Sequence, residues 1–229
     1  MLLTAIVPVY NESKTLAILL EKLMALPCEM QIIAVDDGST DSSPQILKSL
    51  ADEKKILYLR HESNQGKGMA IRTGLDAAEG VYTIIQDADL EYDPKDIQRM
   101  LDVAVENNAD AVFGSRNLHS HSEHSYRRYY LGGKFLTMLA NFLYGLDISD
   151  ESTCYKMVRT ELMKSLNLKC RGFEFCPELV AKLARRRIKI NEIPIHYHPR
   201  KMTEGKKIRW QDGAKAIATL IKYRFPGIK

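Results

Sequence analysis

In the stretch "IIQDADLEYDP", residues 84 to 94, an apolar run gives way to Asp87, Asp89, Glu91 and Asp93 at alternate positions. Carboxylates this close raise one another's pKa unless a cation joins them. The cluster is therefore either a solvated acidic turn or a cation site. In extended chain a D-x-D spacing sends both carboxylates to one side, and Glu91 continues that side. Hard divalent cations such as Mg²⁺ and Mn²⁺ take oxygen ligands of this kind and bridge them to substrate phosphates. The apolar "YTII" behind Asp87 and Asp89 favours the cation reading for that pair. Asp93, next to Pro94, reads more simply as a helix N-cap.

Basic residues supply candidate anion contacts. Arg127 and Arg128 stand among Tyr126, Tyr129 and Tyr130. They are either an exposed helix start or a phosphate clamp, because guanidinium forks match phosphate oxygens. Lys67 lies in "GKG", but Ile71 occupies the third glycine position of GxGxxG and no GxxxxGK[ST] loop exists. Lys67 either reaches a donor phosphate or is solvated. His119, His121 and His124 lack nearby cysteines and an HExxH frame, so a polar flap is the better reading than zinc. Asp150 and Glu151 form either a turn or a base for a hydroxyl acceptor.

The elements that position these residues alternate in type. "LTAIVPVY", "MQIIAVDD", "KILYLRH", "VYTIIQD" and "ADAVFGS" read as strands. Between them lie helical patterns: Leu16, Leu19, Leu20, Leu23 and Met24 on one face, a helix to about residue 52, one ending at Gly80, and one from Pro94 to about Asn107. Repeated βα units predict an open, mostly parallel sheet with helices on both faces. Ligands of such sheets bind beyond the carboxyl ends of the strands. Pro8, Tyr10, Asn11 and Glu12 end the first strand, Asp36 and Asp37 the second, Asp87 and Asp89 the fourth, and Gly114, Ser115 and Arg116 the last of this group. The polar stretch 117 to 130 reads as a long mobile loop. A helix near 132 to 145, "STCYKMVR", a helix in "PELVAKLARRR", a strand in "IKINEIPIHY" and a final helix follow. On that final helix Ala214, Ile217, Ala218, Ile221 and Phe225 form the expected packing face, with basic residues towards lipid headgroups.

With 229 residues, 45% of them hydrophobic, the chain fits one soluble α/β domain over residues 1–229. No apolar run reaches bilayer-spanning length, and the N-terminus lacks the basic start of a signal peptide. Cys28, Cys154, Cys170 and Cys176 show no CxxC pairing, which fits reduced thiols and a cytoplasmic setting. The net charge of +4 conceals an asymmetry: residues 181–229 hold 14 Lys and Arg against 3 Asp and Glu. Such a tail is either a solvated face or a contact for an anionic partner.

Four segments in order, "IVPVYNE", "VDDGSTD", "NQGKGMAIRTG" and "QDADLEYDP", resemble family 2 glycosyltransferases of the GT-A fold. Within them the chain is most similar to dolichyl-phosphate mannose and glucose synthases. "GSR", "TCYKMVR", "FEFCPELVAKL" and "EIPIHYHPR" continue the resemblance. It implies a nucleotide-sugar and metal-binding half over 1–116 and an acceptor half over 117–229. Pro8, Tyr10 and Glu12 would line the nucleotide pocket, with Val35 and Asp37 near base and ribose. Asp87, Ala88 and Asp89 match the D-x-D segment, with Glu91 in the position of a third metal ligand. Arg116 and Arg200 match residues near the diphosphate and the acceptor phosphate.

The expected activity is metal-dependent, inverting transfer from a GDP-mannose or UDP-glucose type donor to a dolichyl or undecaprenyl phosphate. Asp89, Arg116 and Arg200 would act at the reacting centre, Lys67 on the donor, and Arg127 on the acceptor phosphate. An ionised phosphate is already a nucleophile and needs no strong base. The expected attachment is peripheral, on an anionic membrane surface. One alternative is transfer to a saccharide hydroxyl with Asp150 as base. Another is a non-enzymatic anion or nucleic-acid binder, although the tail carries no nucleic-acid motif.

Overall fold

The computed structural model describes residues 1–118, 127–200 and 210–225, with side chains from residue 130 in the middle stretch. Seven strands form one sheet: β1 (Leu3–Val9), β2 (Met30–Asp36), β3 (Leu57–Arg60), β4 (Tyr82–Ile85), β5 (Ala111–Ser115), β6 (Lys156–Arg159) and β7 (Ile190–Pro194). Their order is β3-β2-β1-β4-β6-β5-β7. All neighbours run parallel except β6, which is antiparallel to both β4 and β5.

Strand side chains alternate between two apolar layers, as the period of two requires. Leu3, Ala5, Val7 and Val9 of β1 face helices α1 (Leu16–Met24), α2 (Ser43–Asp52) and α4 (Lys95–Glu106). Ile6 of β1, with Ile33 and Val35 of β2, faces α3 (Lys67–Asp76), α5 (Arg127–Tyr144), α6 (Thr160–Ser165), α7 (Phe175–Arg185) and α8 (Trp210–Arg224). Both faces of the sheet are therefore covered, and the parallel strand ends share one rim.

Three expectations shift, and a segment left open in the sequence becomes a strand. Helix α3 stops at Asp76 rather than Gly80. Gly80 serves a close approach instead, since a side-chain carbon there would lie 2.5 Å from the carbonyl carbon of Leu3. Residues 127–130 of the expected loop belong to α5, and 119–126, including the three histidines, lie outside the described residues. "STCYKMVR" supplies β6, which splits β4 from β5. On α8 the buried residues are Ala216, Thr219 and Leu220, whereas Ile221 and Phe225 are exposed, so the helix is rotated from the expected face. No described helix is long and apolar enough to cross a membrane.

Candidate active site

The rim begins where β1 leaves the sheet. Asn11 takes a positive φ of 52°, which an asparagine tolerates, and turns the chain towards the β2–α2 loop. The backbone N–H groups of Asn11, Glu12 and Ser13 donate to Ser39 Oγ, Ser43 Oγ and Asp41 Oδ2 at 3.0, 3.1 and 3.0 Å. Burial pushes the Asp41 carboxyl up, but bonds from Ser43 and Ser13 outweigh it and bring its pKa down to about 2. Asp37, at the end of β2, accepts from the N–H groups of Gln65 and Gly66 at 2.9 and 2.8 Å and meets His61 at 2.7 Å. It thereby fixes the start of α3 and hence Lys67.

The acidic residues after β4 are held by the chain's own cations. Lys67 Nζ lies 2.6 Å from Asp87 and donates to Cys154 Sγ at 3.1 Å. Burial opposes ionisation of Asp87, yet the Lys67 charge and hydrogen bonds keep its pKa below the usual value. The Arg200 guanidinium bridges Asp89 at 2.9 Å and Glu12 at 3.1 Å. Glu91 accepts from the Tyr197 hydroxyl at 2.6 Å and from the Arg200 backbone N–H at 3.1 Å. Burial, then the charges of Asp87 and Glu91, raise Asp89 to about 7 against the pull of Arg200.

Asp87, Asp89 and Glu91 therefore do not converge as the metal cluster the sequence predicts. Among the described residues no group of three or more His, Cys, Asp or Glu is arranged to hold a metal ion. The reason is that Asp87 turns to Lys67 while Glu91 turns to Tyr197 and Arg200. The donor chemistry nevertheless fits a hard cation: oxygen ligands only, crowded and buried, with a guanidinium and an ammonium already standing as counter-charges.

Across the rim, the end of β5 carries Arg116. Its Nε and one terminal nitrogen donate to the two oxygens of Asp150 at 2.7 and 2.8 Å, and its backbone N–H adds a third bond at 3.0 Å. Burial works against the Asp150 charge, but Arg116 prevails and holds its pKa below the usual value. The Arg116 guanidinium also lies 5.1 Å from the centre of the Tyr197 ring. Tyr197 thus links the two arginines, with one stacked on its ring and the other on the carboxylate that its hydroxyl holds. Glu151 lies beneath α5, its N–H donating to Thr137 Oγ1 at 3.0 Å. Burial raises its pKa to about 7, and one carboxyl oxygen has no hydrogen-bond partner.

Most of the expected site residues meet on this rim: Glu12, Asp37, Lys67, Asp87, Asp89, Glu91, Arg116 and Arg200. Tyr10 is exposed beside them, and Pro8 pairs in register with Val35. Val35 itself is fully buried in the apolar layer, so only its backbone faces the rim. The buried Ala88 accepts the Thr15 hydroxyl through its carbonyl at 2.6 Å, clamping the acidic turn to α1. The side chain of Arg127 lies outside the described residues. Sequence reasoning missed Tyr197, Asp41 and Cys154. Only Tyr197 left a signal, in the alternation of "IHYHP".

The profile of glycosyl transferase family 2 matches residues 4–166. The chain is 27% identical over 212 residues to the low-salt glycan biosynthesis hexosyltransferase Agl6 of Haloferax volcanii, covering 86% of this chain and 48% of that protein. It thus spans about half the length of that relative. It is 28% identical to the polyprenol monophosphomannose synthase of Mycolicibacterium smegmatis, over 88% of this chain and 79% of the relative. Among solved structures, glucosyl-3-phosphoglycerate synthase of Mycobacterium tuberculosis in complex with Mn²⁺, UDP and glucosyl-3-phosphoglycerate superimposes with a TM-score of 0.74. The identity is 17%, covering 97% of this chain and 79% of that one, so the likeness is one of fold.

Proposed function

Since the chain belongs to glycosyl transferase family 2, we propose that it moves a hexose from a nucleotide-diphosphate sugar to a polyprenyl phosphate, with inversion and with a divalent cation. The similarity to a polyprenol monophosphomannose synthase supports the acceptor class. The observation that carries the reading is the pair of arginines joined through Tyr197: the Arg116 guanidinium lies 5.1 Å from its ring, and the Arg200 backbone N–H meets the Glu91 carboxylate that the Tyr197 hydroxyl holds. Two cations suit an ionised phosphate nucleophile. Asp150, the base of the hydroxyl-acceptor alternative, is clamped by Arg116 and held ionised with both oxygens occupied. Glu151 is buried below the rim.

Asp87 and Asp89, with Glu91 beside them, would hold the cation, which when bound neutralises charge on the leaving diphosphate. Lys67 would add a second positive group to the donor phosphates. Release of Arg200 from Asp89 and Glu12 would free its fork for the acceptor phosphate. Arg116, kept in orientation by Asp150, would take another oxygen of that phosphate. The nucleotide would lie against Pro8, Tyr10 and Asp37.

The test is a screen of UDP- and GDP-hexoses with Mn²⁺ and a short-chain polyprenyl phosphate, reading lipid-linked sugar. Product is expected from one donor class, and Asp89→Ala abolishes the tightening of nucleotide by metal in calorimetry. Asp150→Asn should raise the acceptor KM yet leave the shape of the pH–rate profile unchanged, because Asp150 works through Arg116. A saccharide used in place of the lipid phosphate, with Asp150→Asn inactive at every pH, overturns the assignment.

A further inference from the structure

Two thiols that the transfer chemistry does not use meet behind Lys67. Cys154 leads into β6, and Cys176 is the second residue of α7. Cys176 Sγ lies 3.7 Å from the carbonyl oxygen of Thr153, the residue before Cys154. The two thiols hydrogen-bond to one another, and both are half-buried.

Their surroundings are cationic. Lys67 Nζ donates to Cys154 Sγ at 3.1 Å, and the Lys156 ammonium donates to the same Thr153 carbonyl that Cys176 approaches. A thiol beside ammonium groups ionises more easily, and the thiolate is the form that attacks an oxidant. The hydrogen bond from Cys154, joined by the charges of Lys156 and Lys67, outweighs burial and brings the Cys176 thiol down to about 5. The other two cysteines are shifted the opposite way. Burial raises the Cys28 thiol, and burial with the Glu178 charge raises Cys170 to about 12. Of the four cysteines, one pair is therefore arranged for oxidation, with a nucleophilic sulfur and a second thiol against it to resolve the product.

We infer that Cys154 and Cys176 form an oxidisable dithiol, which a peroxide converts to a disulfide, and that this bond takes Cys154 away from Lys67. The Cys176 sulfur attacks one peroxide oxygen, so that an S–O bond forms and the O–O bond breaks. The other oxygen leaves as hydroxide and becomes water with the proton that the thiol gave up. The Cys154 sulfur then displaces the hydroxyl of the Cys176 sulfenic acid, giving the S–S bond and a second water that carries the Cys154 proton. The two thiols lose two electrons, and the peroxide is reduced by them to water. Lys67, with one acceptor fewer, is then drawn to Asp87, its other partner at 2.6 Å. Metal and donor diphosphate must compete with that ion pair, so the disulfide weakens donor binding. This last effect rests on the nucleotide-sugar reading above, whereas the disulfide itself does not.

Peptide mapping of the full chain after hydrogen peroxide treatment tests this, with the remaining thiols alkylated before digestion. Trypsin cleavage after Lys134, Lys156, Arg171 and Lys182 leaves Cys154 and Cys176 on separate peptides, each without another cysteine. Mass spectrometry should find these two peptides joined, with Cys28 and Cys170 alkylated, and dithiothreitol should part them. Affinity for UDP or GDP with Mn²⁺, by calorimetry, should fall at least about threefold on oxidation, as one lost hydrogen bond to a charged group implies. Dithiothreitol should restore it. Cys176→Ser should bind nucleotide as reduced wild type does and ignore peroxide, while Cys28→Ser with Cys170→Ser should respond as wild type does. Recovery of Cys154 and Cys176 as free thiols or as separate sulfinic acids overturns the inference, and this wild-type map decides it even where Cys176→Ser fails to fold. A joined pair with unaltered nucleotide affinity overturns the link to Lys67. A reduced chain that binds neither UDP nor GDP counts against the proposed function, and the map still decides the dithiol.

Discussion

Glu151 shows what burial does to a carboxyl that the fold leaves half satisfied. Its pKa rises to about 7, above its ordinary value, so the folded chain binds its proton more tightly than the unfolded chain does. Stability from this group is full below about pH 4.5 and is lost as pH rises through about 7, by roughly 3 kcal/mol in all. Glu151→Gln should therefore flatten the decline in denaturant-measured stability between pH 5 and 8 and raise stability at pH 8. An unchanged slope would show that other groups set it. The same residue scale explains what could be read in advance. Asp87 and Asp89 stood out because two-residue spacing on a strand end is visible in sequence. The counter-charges that hold them were less legible: Lys67 and Arg200 come from α3 and the segment after β7, and no local pattern states which carboxylate a distant cation will meet. Asp41 was invisible for a similar reason: its bond to Ser43 at the start of α2 is local, but its other partner, Ser13, comes from the distant loop after β1.

At the scale of elements, the alternation of strands and helices was legible because apolar period and turn residues act locally. The sign of β6 was not, because four residues carry no direction. The face of α8 was misread because Ala214 and Ala218, with little side chain to bury, are equally compatible with a core or an exposed side. Helix α3 gives the clearest element-level prediction. Gly66 precedes it at φ 100°, and a side-chain carbon there would lie 2.3 Å from the Arg171 carbonyl oxygen. That oxygen accepts the Met69 N–H, and Lys67 follows directly. Gly66→Ala should cost more than about 1–3 kcal/mol, since a strained backbone is joined by a backbone clash. It should also weaken nucleotide binding by moving Lys67 from Asp87. Thermal melts and calorimetry check both, and a variant with wild-type values of each would show that the loop absorbs the change.

The whole molecule is one sheet shared by both halves of the chain, because β6 joins β4 to β5 and β5 carries β7. A fragment ending at residue 116 would keep β3-β2-β1-β4 but leave β5 without either neighbour. In hydrogen exchange, amides of β5 should be unprotected in that fragment and protected in the full chain; protection in both would mean that β5 finds another partner. Synthesis from the N-terminus passes through the same situation. β5 is complete at Ser115, and the strand that must separate it from β4 begins only at Lys156. At about 5–20 residues per second the ribosome needs roughly 2–8 s to cover that interval. For those seconds the outer edge of β4 is a row of unpaired N–H and C=O groups, open to a neighbouring nascent chain. Slow codons between residues 116 and 155 would prolong the exposure, so the yield of folded protein should respond to translation speed there more than elsewhere in the message.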